Sequence, residues 1–229
     1  MLMTLLKDIF SPAPAATDQL ESGTRSVLNV GGGSKTTAIP DYFAGWRHDL
    51  LDIDPRGAPD IVCDARELTR LPAATYDAIY CSHNLEHYYR HDGLQVLRGF
   101  VHVLKDTGFA EIRVPDIAKV VGVLHEQQLE LDDVLYQSPA GPISAHDVVY
   151  GLQSEIEQSG QDFYAHKTGF TPKSLKAFLL KAGFCKVVIA TDPFLAVHAL
   201  AFKAEPTAEQ CTLLGQSWNM AQGEQVPRT

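Results

Sequence analysis

The chain reads as an α/β protein: a doubly wound, mostly parallel seven-stranded Rossmann-like sheet, with a final antiparallel hairpin and a helical insertion after strand five. Three observations predict this. Short apolar runs alternate with helix-sized segments between residues 26 and 116. The run Tyr76–Cys81 is largely apolar throughout, as a parallel strand covered on both faces must be. Two late apolar runs, Phe184–Ile189 and Leu195–Lys203, have no helix-sized gap between them, so they pair antiparallel.

The elements follow in order. Residues 1–24 form a lead-in segment. Met1–Phe10 is apolar but interrupted by Lys7 and Asp8, and it lacks the basic start and cleavage site of a signal peptide. Ser11–Gly23 is rich in Pro, Ala and small polar residues. The domain proper is expected over 25–203. Its first strand is Ser26–Val30, which breaks into Gly31-Gly32-Gly33, and Lys35–Ala44 is a short helix or irregular segment. Strand two, Arg47–Ile53, is stopped by Pro55-Arg56-Gly57; strand three is Asp60–Cys63 and strand four Tyr76–Cys81. From Gly93 to Leu104, a helix places Leu94, Leu97, Val101 and Leu104 on one face. Asp106-Thr107-Gly108 is a turn, and strand five, Phe109–Val114, ends at Pro115.

Residues 116–167 depart from this rhythm. Two short helical patterns flank a break at Ser138–Pro142, and Gln, His and Tyr are frequent. This is the insertion, expected to form a lid or the wall of an acceptor pocket. Thr171-Pro172 then supplies an N-cap and first helical position, and Gly183 stops the helix after Ala182. Residues 204–229 carry weak signals and are expected to be a partly disordered tail.

Composition narrows the partners. The formal net charge of −9 over 229 residues argues against binding nucleic acid through its phosphates. No apolar stretch approaches the ~20 residues a bilayer span needs, so no membrane partner is expected. Cys63, Cys81, Cys185 and Cys211 show no paired spacing and are expected to be reduced thiols of a cytoplasmic protein. No feature fixes an oligomeric state.

The glycines at the end of strand one let a ligand approach the backbone, because no Cβ stands in the way. Asp52 and Asp54 follow at the tip of the neighbouring strand, where a carboxylate holds the two hydroxyls of a ribose. An adenosine-containing cofactor is therefore expected. Thr36 stands where a dinucleotide fingerprint needs its last glycine, and no phosphate-binding G-x-x-x-x-G-K-[ST] loop exists, which disfavours NAD, FAD and nucleoside triphosphates.

Further residues extend the pattern. Asp64 lies in Val62-Cys63-Asp64-Ala65. Tyr76-Asp77-Ala78-Ile79-Tyr80-Cys81-Ser82-His83-Asn84-Leu85-Glu86-His87 leads on to Leu97, Val103-Leu104-Lys105, Gly108 and Ile112-Arg113-Val114-Pro115-Asp116. Over residues 26–116 this succession resembles the class I S-adenosylmethionine-dependent methyltransferases, particularly methyltransferase type 11. The match resumes at His166–Phe184 as His-x-x-Gly-Phe-Thr-x-x-x-Leu followed by Ala-Gly-Phe.

The resemblance implies methyl transfer from S-adenosylmethionine to a small-molecule acceptor, leaving S-adenosylhomocysteine. It implies cofactor contacts along Asn29, Gly31, Gly32 and Gly33, at Asp52 with Ile53, at Asp64 with Ala65, and at Ser82 with His83. In that reading Gly31 and Gly33 pass under the methionine and ribose, and Asp52 (Asp54 being the alternative) holds the ribose hydroxyls. Asp64 and the Ala65 backbone meet the adenine, and Ser82 and His83 lie near the sulfonium. Asn29 stands where relatives carry an acid, Lys35 where they carry a glycine, and Asp106-Thr107-Gly108 where they carry Pro-Gly-Gly.

A base is needed only for a protonated acceptor, and His83, His146 and His166 are the candidates. Two other classes compete. In a non-catalytic binding module, Asn29 and Lys35 would mark a decayed site. In a zinc-dependent hydrolase, His83, Glu86 and His87 would act through H-x-x-E-H, but that signature needs a continuous helix and here follows a strand directly, so no metal ligands are assigned.

Overall fold

A computed structural model describes residues 23–138, 141–191 and 195–222, with side chains to residue 215 in the last segment. The expectations for Met1–Phe10 and for most of the lead-in lie outside the described residues. The strands are β1 (Ser26–Val30), β2 (Arg47–Asp52), β3 (Ile61–Val62), β4 (Tyr76–Ser82), β5 (Leu104–Pro115), β6 (Val134–Ser138), β7 (Gly141–Ser144), β8 (Lys186–Thr191) and β9 (Ala196–Phe202). The α-helices are α1 (Arg90–Val103), α2 (Ile117–Gln127), α3 (Ala145–Tyr150), α4 (Gln153–Ser159), α5 (Pro172–Ala182) and α6 (Ala208–Gln222).

Seven strands form one sheet in the order β3-β2-β1-β4-β5-β9-β8. β1 runs parallel to β2 and β4, and β4 parallel to β5. β9 is antiparallel to both β5 and β8, so the final hairpin inserts its second strand next to β5. Successive residues of a strand face opposite sides, and two cores result. Leu28, Val30, Ile79, Cys81, Ile112 and Val114 pack with Leu97 and Phe100 of α1 and with Leu175 and Leu179 of α5. On the other face Val27, Ala78, Tyr80, Phe109, Val188 and Phe202 gather around Phe43 and Leu214.

Local chemistry sets several boundaries. The Thr171 hydroxyl accepts from the Ser174 N–H while Ser174 accepts from the Thr171 N–H, Pro172 opens α5, and Gly183 closes it at φ 115°. This reciprocal box satisfies donors the helix cannot satisfy itself. Asp106–Gly108 proves to be a bulge within β5 rather than a turn before it: Tyr76 pairs with Leu104, but Ala78 already pairs with Phe109. Of the two readings of Lys35–Ala44, a short helix or an irregular segment, the second holds: the stretch is irregular apart from one 3₁₀ turn at Asp41–Phe43, where Phe43 is drawn into the second core.

The insertion is not purely helical. The break at Ser138–Pro142 falls within a two-stranded hairpin, β6–β7, in which Ser138 pairs with Gly141. The tail carries the helix α6, bent at Gly215 (φ 40°, ψ −108°), and Leu214 anchors it against the sheet. The four cysteines form no disulfide. Among the described residues, no helix is long and apolar enough to cross a membrane.

Candidate functional site

The C-terminal ends of β1, β2 and β4 open into a cavity of about 720 Å³. This is the side of a doubly wound sheet where the strand order reverses and ligands find a crevice. Gly31, Gly33, Asp52, Ile53, Asp64 and His83 line it. Gly31 (φ 72°) and Gly33 (φ 68°) adopt the left-handed conformation that lets the chain turn sharply out of β1. A Cβ on Gly31 would overlap the Asn84 amide, and one on Gly57 would overlap the Gly33 carbonyl oxygen. The glycine loop is thus pressed between the loops after β2 and β4.

Asp52 organises that loop. Its Oδ2 accepts from the Gly33 N–H (2.9 Å) and its Oδ1 from the Asp54 N–H (2.9 Å). A carboxylate offers about four lone-pair positions, so each oxygen keeps one for a further donor. Asp64 is more fully engaged. It caps the following 3₁₀ turn through the Arg66 N–H, and the Arg66 side chain grips both its oxygens (Nε at 3.1 and 3.0 Å, Nη2 at 2.6 Å). Burial raises its pKa, but the Arg66 bonds outweigh that and hold it below the ordinary value.

Other residues of the expected set lie elsewhere. Asn29 is 1 % exposed beneath the glycine loop, where a Cβ on Gly32 would overlap its amide. Gly32, Ala65 and Ser82 do not line the cavity. Lys35 is drawn aside into a salt bridge with Asp60 (2.7 Å). Neither Asn29 nor Lys35 faces the space a cofactor would fill. His146 lines neither this cavity nor its smaller neighbour, and its ring packs on Tyr150 with centroids 4.9 Å apart.

Sequence reasoning missed the ceiling of the cavity. Arg56 donates to Asp54 (Nε, 2.7 Å), to Glu155 of α4 (Nη2, 2.8 Å) and to the Tyr164 hydroxyl. Tyr164 in turn donates to Asp54. The Arg56 guanidinium holds the Asp54 carboxyl far below the usual carboxylate range, while burial and then Asp54 push the Tyr164 phenol up to about 12. This network straps the insertion to the loop after β2. Its one visible signal was the polar Arg56 inside a Pro-Arg-Gly break. Five aspartates (Asp52, Asp54, Asp64, Asp92 and Asp162) face three cations (Arg56, Arg66 and Lys167) around the cavity, a balance that suits a cationic ligand.

His83 directly follows β4 with φ 51°, a conformation uncommon outside glycine and found at functional sites. Its side chain lines both the large cavity and a smaller one of about 130 Å³, which His166, Tyr136 and Ile143 also line. Leu85-Glu86-His87 forms a 3₁₀ turn, so the H-x-x-E-H stretch has no continuous helix and does not form the hydrolase arrangement. The turn nevertheless brings Glu86 and His87 against His166. The Glu86 carbonyl accepts from the N–H groups of Lys167 (2.8 Å) and Thr168 (3.1 Å), and the His87 and His166 rings meet edge to face at 4.7 Å. Burial pushes the His166 imidazole pKa down, which favours its neutral form. For Glu86, burial works against ionisation, but His83 and then His87 and His166 outweigh it and hold the carboxyl below its ordinary value.

No protein-family model matches the chain, and no curated protein does. Solved structures do. A protein of Pyrococcus horikoshii OT3 superposes with a TM-score of 0.54 at 14% identity, over 80% of this chain and 84% of that one. A structure described as a SAM-dependent methyltransferase from Methanosarcina mazei gives a TM-score of 0.50 at 14% identity, over 79% of this chain and 92% of that one. A possible exported protein of Bordetella parapertussis gives 0.48 at 17% identity over 80% of this chain, which spans only 63% of that relative's length.

Proposed function

We propose that this chain, which has the fold of the class I S-adenosylmethionine-dependent methyltransferases, binds S-adenosylmethionine in its large cavity and passes the methyl group to a small acceptor. The observation that carries the reading is the convergence of Gly31, Gly33, Asp52 and His83 on one acidic cavity at the strand tips. The cofactor fits the residues present. Asp52 keeps two lone pairs for ribose hydroxyls, and the excess of aspartates answers the sulfonium and ammonium charges. Arg66 must release part of Asp64 before that carboxylate can accept from an adenine amino group.

The reaction asks little covalent chemistry of the protein. A lone pair on the acceptor forms the bond to the methyl carbon as the carbon–sulfur bond breaks, and that electron pair stays on sulfur in S-adenosylhomocysteine. Alignment supplies most of the acceleration. The smaller cavity, joined to the large one at His83, is where an acceptor is seated in this reading. His83 and His166 are the groups placed to hold or take its proton.

Calorimetric titration with S-adenosylmethionine, S-adenosylhomocysteine and NAD tests the proposal. Micromolar binding of the first two and none of NAD is expected. Asp52→Ala should weaken that binding at least tenfold, since hydrogen bonds to a carboxylate are each worth roughly 1.5–3 kcal/mol. Binding of NAD alone, or of none of the three, would overturn it.

A further inference from the structure

Three side chains at the junction of the two cavities have an arrangement that methyl transfer by itself does not require. Glu86, His87 and His166 each offer one ligand atom, and those atoms lie within 4.8 Å of one another. Around a tetrahedral ion with bonds of about 2.0–2.1 Å, ligand atoms stand roughly 3.3 Å apart, so an inward shift of under about 1 Å apiece closes the set.

Two further features point the same way. His166 Nδ1 lies 2.9 Å from the Val148 carbonyl oxygen, and His87 Nδ1 lies 3.3 Å from that of Ala165. With Nδ1 donating to a carbonyl, each ring keeps Nε2 as the basic nitrogen, which is how metal-binding histidines are usually oriented. Glu86 is 1 % exposed, and neither carboxylate oxygen has a hydrogen-bond partner. The histidine nitrogens nearest to Oε1 are His83 Nδ1 at 3.5 Å and His166 Nε2 at 4.0 Å. A buried carboxylate ordinarily needs a direct partner, and coordination to a cation would supply one.

We propose that Glu86, His87 and His166 bind one divalent transition-metal ion of the zinc type. Two imidazole nitrogens and one carboxylate oxygen make a donor set that suits such ions better than magnesium or calcium. Three protein ligands leave a position open. His87 lines the large cavity and His166 the small one, so that position lies where the two meet. On the methyl-transfer reading, the open position takes the acceptor's oxygen, which makes the acceptor a hydroxyl compound; with His166 committed to the ion, His83 is the group left to take its proton. The metal site itself does not depend on that reading.

The test uses the full chain, stripped with a chelator and dialysed against zinc, with uptake measured by elemental analysis and affinity by competition with a chromophoric chelator. One zinc per chain is expected, with an affinity that falls at least tenfold in Glu86→Gln and in His166→Ala. His125→Ala and Cys185→Ser, both at exposed positions outside the cluster, serve as controls and should bind as the parent does. If Glu86→Gln does not fold, the absorption of the cobalt-loaded parent and of His166→Ala decides. The parent should show d–d bands without thiolate charge transfer, and the variant should lose them. No stoichiometric uptake, equal uptake by parent and variants, or a thiolate band would overturn the site. A parallel titration with S-adenosylmethionine in chelator separates the two ideas. Cofactor binding without zinc uptake defeats the metal site alone, and zinc uptake without cofactor binding defeats methyl transfer alone.

Discussion

Gly57 has no side chain, and the cavity depends on that absence. Any Cβ there would strike the Gly33 carbonyl oxygen, a backbone atom that cannot rotate away. Gly57→Ala should therefore cost at least about 2 kcal/mol in denaturant unfolding and should weaken cofactor binding as well. Gly122 in α2 has open space around its Cβ position, so Gly122→Ala should be neutral or stabilising by up to about 1 kcal/mol. Equal effects at the two positions would refute this account of the glycine loop. Such contacts explain what could be read from the chain and what could not. Gly31, Gly33 and Asp52 were legible because a strand tip, a tight turn and an acid on the next strand are local signals. Where the Asn29 side chain lies, under the loop and away from the cavity lining, could not be read locally, because only packing against Gly32 determines it. His166 was visible as an isolated histidine, but its approach to Glu86 depends on bonds across the fold.

Among the elements, the strap over the cavity turns on one exposed arginine. The Arg56 side chain is 59% exposed, and ion pairs of that kind add little stability. Arg56→Ala should leave the unfolding free energy nearly unchanged. In stopped-flow displacement, however, it should speed release of S-adenosylhomocysteine severalfold, because it unties α4 and Tyr164 from the loop after β2. An unchanged release rate would mean that the strap does not close the cavity. Burial also governed which elements could be foreseen. β1, β4 and β9 lie in the core and announce themselves by apolar runs. The hairpin β6–β7 buries only Ile143, so its sequence carries no alternation to betray it.

The whole molecule is fastened at the end of the sheet away from the cavity by Asp77. Its carboxylate accepts from the Ser26 N–H (2.9 Å), the Ser26 hydroxyl (3.2 Å) and Lys105 Nζ (2.8 Å), which ties β1, β4 and β5 together. Burial raises its pKa, but Lys105 and Ser26 outweigh that and leave it below the ordinary value. A depressed carboxyl contributes stability that is present above its unfolded pKa and lost as pH falls through the folded one. Asp77→Asn should accordingly cost about 1–3 kcal/mol at neutral pH, and the gap to the parent should shrink as pH drops below about 4 in pH-dependent unfolding. A gap that is constant with pH would assign the effect to packing instead.

At the same scale, the insertion enters and leaves the sheet at a single point. The Ile117 N–H donates to the Phe170 carbonyl (3.0 Å), and Lys167 and Thr168 donate to that of Glu86. These seams are made by main-chain atoms, which every amino acid supplies. A segment attached in this way behaves as an evolutionary cassette: it can drift, lengthen or be exchanged through recombination while the sheet and its glycine loop stay untouched. Descendants of one such scaffold can then diverge in what they seat above the cavity while sharing almost no sequence.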